Sequence, residues 1–354
     1  MPRTLCAIAF IAAGISPLAA SAQSFTEGLP RYGVTVISTG ASVASTGPVS
    51  QSLGLNNNGR VVGYFFSAPL QYKALNWKNG TAMQLGGLSG FDQTFANRVN
   101  LLGRVAGVGY KMNGGSITET HALKWTGGVM SDLGTLGGHH AAALAINDHD
   151  QIVGGSTLAG DLITRAFIYS NGAMTAITTL PGAVESYAYD ISNTGYVVGT
   201  AVTATPAKPF IWRNGVSFAL PVPAGVRAGA ANAVNDSGIV AGSYEINQYA
   251  GSFAAIIWVN GQLLHLGYLG GGLSYSVASD INSTAQVVGT TNSSAGFTGF
   301  LWKSGVMYDL RTLIAPSYGP LEITSAGAIN DSGQIAAVAT INGRQTAVLL
   351  TPAN

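Results

Sequence analysis

A single cysteine, Cys6, occurs in 354 residues, and it lies inside an apolar run near the start of the chain, so no disulfide can hold the fold together. Charge is nearly as scarce. Asp, Glu, Lys and Arg make up 9% of the residues, where about 25% is usual for a globular protein. With 16 basic residues against 15 acidic ones the chain is close to neutral and lacks the positive field that nucleic acid requires, so nucleic acid is excluded as a partner. Long apolar runs are missing too. The stretch Leu5 to Ile15 is roughly half of what a membrane-spanning helix needs, and Ser16-Pro17 follows it. With Arg3 before it and Ala20-Ser21-Ala22 after it, the run reads as a signal peptide cleaved near Ala22. The expectation is a secreted or periplasmic protein with no membrane span, its residues 23–354 forming a single domain. There is no Gly-x-Ser-x-Gly nucleophile elbow, and the pattern calls for neither a cofactor nor a metal.

Glycine, by contrast, is abundant at 48 residues, and it recurs in a pattern. The stretch Ala143 to Gly154, ALAINDHDQIVG, returns as SLGLNNNGRVVG, ANRVNLLGRVAG, AYDISNTGYVVG, ANAVNDSGIVAG, ASDINSTAQVVG and AGAINDSGQIAA. Anchored on its Asn, the repeat falls at Asn56, Asn100, Asn147, Ser192, Asn235, Asn282 and Asn330, in steps of 43 to 48 residues. A period of this length with several short strands per unit predicts a β-propeller blade.

Each unit reads as four strands. Four residues before the anchor stand Ser52, Ala96, Ala143, Ala188, Ala231, Ala278 and Ala326, all small, as expected where the innermost strands converge on the axis of a ring. One residue before it come Leu55, Val99, Ile146, Ile191, Val234, Ile281 and Ile329, expected to point the other way and pack on a neighbouring blade. The anchor opens a tight turn whose fourth residue must adopt a left-handed conformation. Gly fills that place in five units, with Asp150 and Ala285 in the others. Every Trp occupies one place in the third strand, where it predicts a wedge between blades.

The last unit ends at Leu350 without a fourth strand, while Tyr32 to Ile37 has the alternation of a lone strand. If that segment supplies the missing strand, every strand type occurs seven times. The predicted architecture is therefore an all-β, seven-bladed β-propeller of four-stranded blades, its ring closed by the N-terminal strand pairing with the C-terminal strands.

The units resemble the extracellular HAF repeat family, named for the His-Ala-Phe that opens its third strand. His121-Ala122-Leu123-Lys124-Trp125 and Arg165-Ala166-Phe167-Ile168-Tyr169 carry the resemblance, with the run Asp132 to Gly138 and the Ile-Asn-Asp turns. It implies export and a propeller-like fold and brings no catalytic residues. Six of the seven units lack the His, so no role tied to it extends to every blade.

Both tight turns of each unit belong to one face of the ring, which leaves the variable connections on the other, where binding usually resides. Candidate residues beside the central opening on that face include His139, His140, Glu185, Tyr187 and Tyr275, with Asp92, Arg227 and Glu322. Four residues before the third-strand aromatic stand Lys73, His121, Arg165 and Lys208 in successive units. That is either a basic arc that recognises carboxylate or phosphate groups or a solvated strand edge. His139 and His140 are adjacent and would point to opposite sides of an extended segment. The expected function is a binding or interaction module, with an anionic or polar glycan or a cell-envelope polymer as ligand. A polysaccharide lyase or hydrolase at the central opening is the alternative. No residue is assigned a catalytic role, and a monomer is the expectation.

Overall fold

The computed structural model describes residues 30–37, 54–68, 71–203, 207–246, 251–270, 274–319 and 321–353. The signal-peptide segment and Ser52 lie outside these. At each of the six Asn anchors the amide side chain does two things. Asn147 Oδ1 accepts from the backbone N–H groups of His149 and Gln151 at 3.1 and 3.0 Å, which closes the turn. Its Nδ2 donates at 3.1 Å to the carbonyl of Ser192, the next anchor along the chain. Asn56 does the same through Asn58, Arg60 and, at 2.8 Å, Asn100. The fourth turn residue has positive φ in every unit: 69° at Gly59, 77° at Gly103, 68° at Asp150, 83° at Gly195, 76° at Gly238, 60° at Ala285 and 77° at Gly333. Asp150 compensates for its backbone with a carboxylate that pairs with Arg104 at 3.1 Å and with Lys124.

The strands form antiparallel four-stranded sheets arranged as a β-propeller. Among the described residues five sheets have four strands, and one has eight. Separate sheets throughout were expected. The departure has a local cause. The long strands Ser116–Thr126 and Gly137–Ile146 run side by side, and His140 pairs in parallel with Thr120, which joins the 93–132 and 137–176 halves. The strand Arg31–Val36 is the outermost strand of the 322–353 sheet, with Val34 opposite Leu350 and Val36 opposite Val348. Asn330 Nδ2 donates to the Asn56 carbonyl at 3.1 Å, and Asp331 N to Asn57 Oδ1 at 2.9 Å, linking the last sheet to the 54–84 sheet.

Buried side chains lie between adjacent sheets. Trp125 packs with Ala96 and Val99 of its own sheet and with Val62 and Leu85 of the preceding one, and its Nε1 donates to the Gly86 carbonyl at 2.7 Å. Trp258 is held in the same way on Pro221, also at 2.7 Å. One expectation about the innermost strands is corrected here. The alanines four before the anchor do not face the axis; Ala96, Ala143, Ala188 and Ala278 are fully buried between sheets, in the same clusters as Val99, Ile146, Ile191 and Ile281. The reason is a β-bulge. Register shifts between Ala96 and Arg98, Ala188 and Asp190, Ala231 and Ala233, and Ala278 and Asp280 insert one residue three before the anchor, and an extra residue reverses the side-chain alternation. The same bulge demands the glycine across the hairpin. A Cβ at Gly199 would lie 1.9 Å from the Tyr187 carbonyl oxygen, and one at Gly107 2.0 Å from that of Phe95.

Candidate functional site

The strand directions divide the molecule into a turn face, carrying the anchors, and a loop face, carrying the connections between second and third strands and between units. The turn face has a shallow funnel lined by the anchors and their neighbours, including Asn56, Asn100, Asn147, Asn235 and Asp236. Its carboxylates are engaged by backbone N–H groups of neighbouring turns: Asp148 Oδ1 accepts from Leu101 N at 2.7 Å, Asp236 Oδ1 from Asn193 N at 2.6 Å and Asp331 Oδ1 from Ser283 N at 2.8 Å.

On the loop face the cations of the proposed arc stand on successive third strands, and three of the four have partners within the protein. Lys73 Nζ donates to the Asp92 carbonyl at 2.9 Å, and Arg165 Nη1 to the Val184 carbonyl at 2.5 Å. Both carbonyls stand at the same place, eight residues before the next anchor, so the two cations clamp equivalent connections. His121 Nδ1 lies 2.7 Å from Asp132 Oδ2, and its ring packs on Phe91 with centroids 4.8 Å apart. Lys208 is exposed.

His139 and His140 sit where the two halves of the eight-stranded sheet meet. His139 Nδ1 is 2.5 Å from Asp161 Oδ2, while Asp161 Oδ1 accepts from His139 N and from Thr157 Oγ1, each at 2.6 Å. This hydrogen bonding holds the Asp161 carboxyl well below the usual carboxylate range and raises the pKa of the His139 imidazole. His140 Nδ1 lies 3.5 Å from Thr120 Oγ1. The fused strands therefore bring His121, His139 and His140 to one edge of the loop face. Among the described residues no group of three or more His, Cys, Asp or Glu is arranged to hold a metal ion. Arg227 lies 4.0 Å from Glu245, and Glu185 opens its strand opposite Val202.

Aromatic side chains are the other feature of this face. Phe66, Tyr72, Tyr64, Phe95 and Tyr110 form a chain of ring contacts with centroids 4.6 to 5.3 Å apart. Around the ring, Tyr275 lies between Phe253 at 5.8 Å and Phe297 at 5.1 Å, and Phe297 is 54% exposed. Tyr268 and Tyr318, in the connections between units, are about half exposed. Tyr187 stacks on Tyr189, centroids 6.5 Å apart and planes 10° from parallel.

The axis holds groups that the sequence reading passed over. Two residues before the anchor, in consecutive units, stand Gly54, Arg98, Ala145, Asp190, Ala233, Asp280 and Ala328. Charge and small residues alternate at that place, and this was the signal available. Arg98 Nη2 is 3.5 Å from Asp280 Oδ1 in a different sheet, and Asp190 interacts with the same guanidinium. Asp190 Oδ2 accepts from Val234 N and Asp280 Oδ2 from Ile329 N, both at 2.9 Å and both in the next sheet along the chain. Burial raises both carboxyls, Asp190 to about 6, with Arg98 opposing the shift. Beside the triad is an axial cavity of about 370 Å³ lined by Asn97, Arg98, Leu144, Tyr189, Asn232, Val277, Ala278, Ser279 and Gly327, largely the bulge residues.

No protein-family model matches the chain, and no curated protein matches it in sequence. Solved structures do resemble it. The β-propeller domain of the trilobed protease from Pyrococcus furiosus is 11% identical with a TM-score of 0.53, over 85% of this chain and 95% of that one. The extracellular domain of a one-component system from B. thetaiotaomicron is 10% identical with a TM-score of 0.53, over 92% of this chain and 40% of that one. An acylaminoacyl peptidase from Pyrococcus horikoshii is 11% identical with a TM-score of 0.48, over 84% of this chain and 50% of that one. The chain thus spans about half the length of such peptidases. At these identities the likeness establishes the fold: this is a β-propeller with four-stranded blades. No helix among the described residues is long and apolar enough to cross a membrane.

Proposed function

We propose that the chain is an exported, seven-bladed, closed propeller of the HAF-repeat kind that works as a glycan-binding module through its loop face. Counting the eight-stranded sheet as two blades supports the number seven, because its halves pack a hydrophobic cluster between them, Ala106, Ala122 and Leu133 against Ala143, Ile152 and Phe167, as separate sheets do. The hydrogen bonds from Asn330 to Asn56 and the pairing of Arg31–Val36 with Arg344–Ala353 support closure.

The observation that carries the binding reading is the gathering of aromatic rings on the loop face, with Phe297, Tyr268 and Tyr318 half exposed. Flat apolar faces with a polar tip suit pyranose rings, which are apolar on their faces and hydroxylated at their edges. Lys73, His121 and Arg165 already have partners, so they favour a polar glycan over one recognised by charge alone. The test is a titration against neutral and acidic polysaccharides. Changing Tyr275 and Phe297 together to Ala should weaken binding about tenfold or more, the equivalent of about 1.4 kcal/mol. Changing Lys73, Arg165 and Lys208 together to Ser should have the smaller effect for a neutral polymer. Absence of binding to every polymer tested would overturn the reading.

A further inference from the structure

The Arg98 side chain is 20% exposed on the axis, and among the described residues the nearest acceptor to its guanidinium is Asp280 Oδ1, at 3.5 Å. A guanidinium carries five donors, so the group has unused capacity directed at the cavity it lines. Other polar groups share that wall. Asn97 and Asn232 donate through Nδ2 to the carbonyls of Ala143 and Ala278, each at 2.8 Å, which fixes their orientation and leaves each Oδ1 as an acceptor. Ser279 contributes a hydroxyl, Tyr189 a ring, and Leu144 and Val277 apolar surface. The cavity, at about 370 Å³, falls in the range of small-molecule sites.

We infer that this axial cavity is a binding site for one neutral sugar unit, such as the end of a glycan chain, with Arg98 as its anchoring donor and Asn97, Asn232 and Ser279 completing the polar wall. The charge balance selects the class. Two carboxylates, Asp190 and Asp280, stand behind one guanidinium, so the surroundings repel a carboxylate or phosphate ligand. A hydroxyl group both donates and accepts, so a polyhydroxylated ring satisfies a wall made of guanidinium donors and amide acceptors together. The strand positions also give the direction of entry. The triad lies two residues before the anchors, between the turn-face funnel and the cavity, whose lining extends to Val277, five residues before its anchor and towards the loop face. The ligand therefore enters from the aromatic side. The inference rests on the glycan reading and narrows it to one site.

The test is calorimetric titration of the full-length protein with glucose, galactose, mannose, N-acetylglucosamine, glucuronate and inorganic phosphate, beside polysaccharides carrying the same end units. At least one neutral hexose is expected to bind, and glucuronate and phosphate at least tenfold more weakly. Ser279→Leu should fill the cavity without removing any hydrogen bond that the structure shows, and should abolish hexose binding with an unchanged melting temperature. Arg98→Met should abolish it too, and if Arg98→Met fails to fold, Ser279→Leu and Leu144→Trp decide. Polysaccharide binding that survives cavity filling, or binding of no hexose by the wild-type protein, overturns this inference while leaving the loop-face reading standing. Failure of the polysaccharides as well overturns both.

Discussion

Asp190 shows what one residue on the axis does to the stability of the protein. Its carboxyl is partly exposed, yet desolvation pushes its pKa up to about 6 despite the neighbouring Arg98; in the unfolded chain about 3.9 is expected. A group whose pKa is raised by folding stabilises the native state when protonated. That contribution is complete below about pH 4 and is lost as pH rises through 6, by about 2 to 3 kcal/mol for a shift of two units. Asp190→Asn keeps an acceptor for Val234 N but removes the charge. The variant should therefore be more stable than wild type at pH 8 and not at pH 4, in urea denaturation at both values; a pH-independent difference would contradict the assignment. Asp161 contributes with the opposite sign, because its pKa is lowered, so only the difference between the two proteins isolates Asp190. At this scale legibility was uneven. The turn residues Asp150 and Ala285 were readable as left-handed positions, because four consecutive residues determine a turn. The partners of Asp190 and Arg98 were not, because each is supplied by a sheet far along the chain.

Among the elements, the anchor turn repays comparison across units. Asn235 and Asn282 each donate Nδ2 to the following anchor carbonyl, at 3.0 and 3.1 Å. Ser192 breaks the series: its hydroxyl bonds locally, to Thr194 Oγ1 and from Tyr196 N, and does not reach Asn235. The adjoining sheets are instead tied by Asn193 and Thr194, which donate to Asp236. Ser192→Asn should restore the missing inter-sheet bond and raise stability by about 1 kcal/mol, the net worth of a buried hydrogen bond. An unchanged or lower denaturation midpoint would mean that the Asp236 contacts already occupy the space. The repeat itself was plain from the sequence. The bulge was not, and so the direction of the small residues was misread: an inserted residue that reverses a strand leaves no local mark, and the glycine that accommodates it sits on the opposite strand.

At the scale of the whole molecule the N-terminal strand matters most. Tyr32 is 2% exposed, packs on Leu310, Leu313 and Ile314, and its backbone carbonyl accepts from Ala315 N at 2.9 Å. Arg31–Val36 is thus held by the final strand on one side and by the 310–315 segment on the other. Tyr32→Ala should cost about 3 to 5 kcal/mol, the usual penalty for truncating a buried aromatic residue. Because Arg344–Ala353 would lose its outer partner, hydrogen exchange in residues 344–353 should accelerate first; a variant with an unchanged melting temperature would show that the strand does not hold the sheet. The sequence alone determined that the protein is a β-propeller built from a repeated four-strand unit, since hydrophobic alternation, turn chemistry and period are properties of consecutive residues. Only the tertiary structure decided that strands at Thr120 and His140 fuse two units, that Lys73 and Arg165 clamp neighbouring connections, and that Arg98 meets Asp190 and Asp280 on the axis. Those contacts depend on how sheets are rotated about a common centre, and residues separated by nearly two hundred positions carry no local trace of the distance at which they will meet.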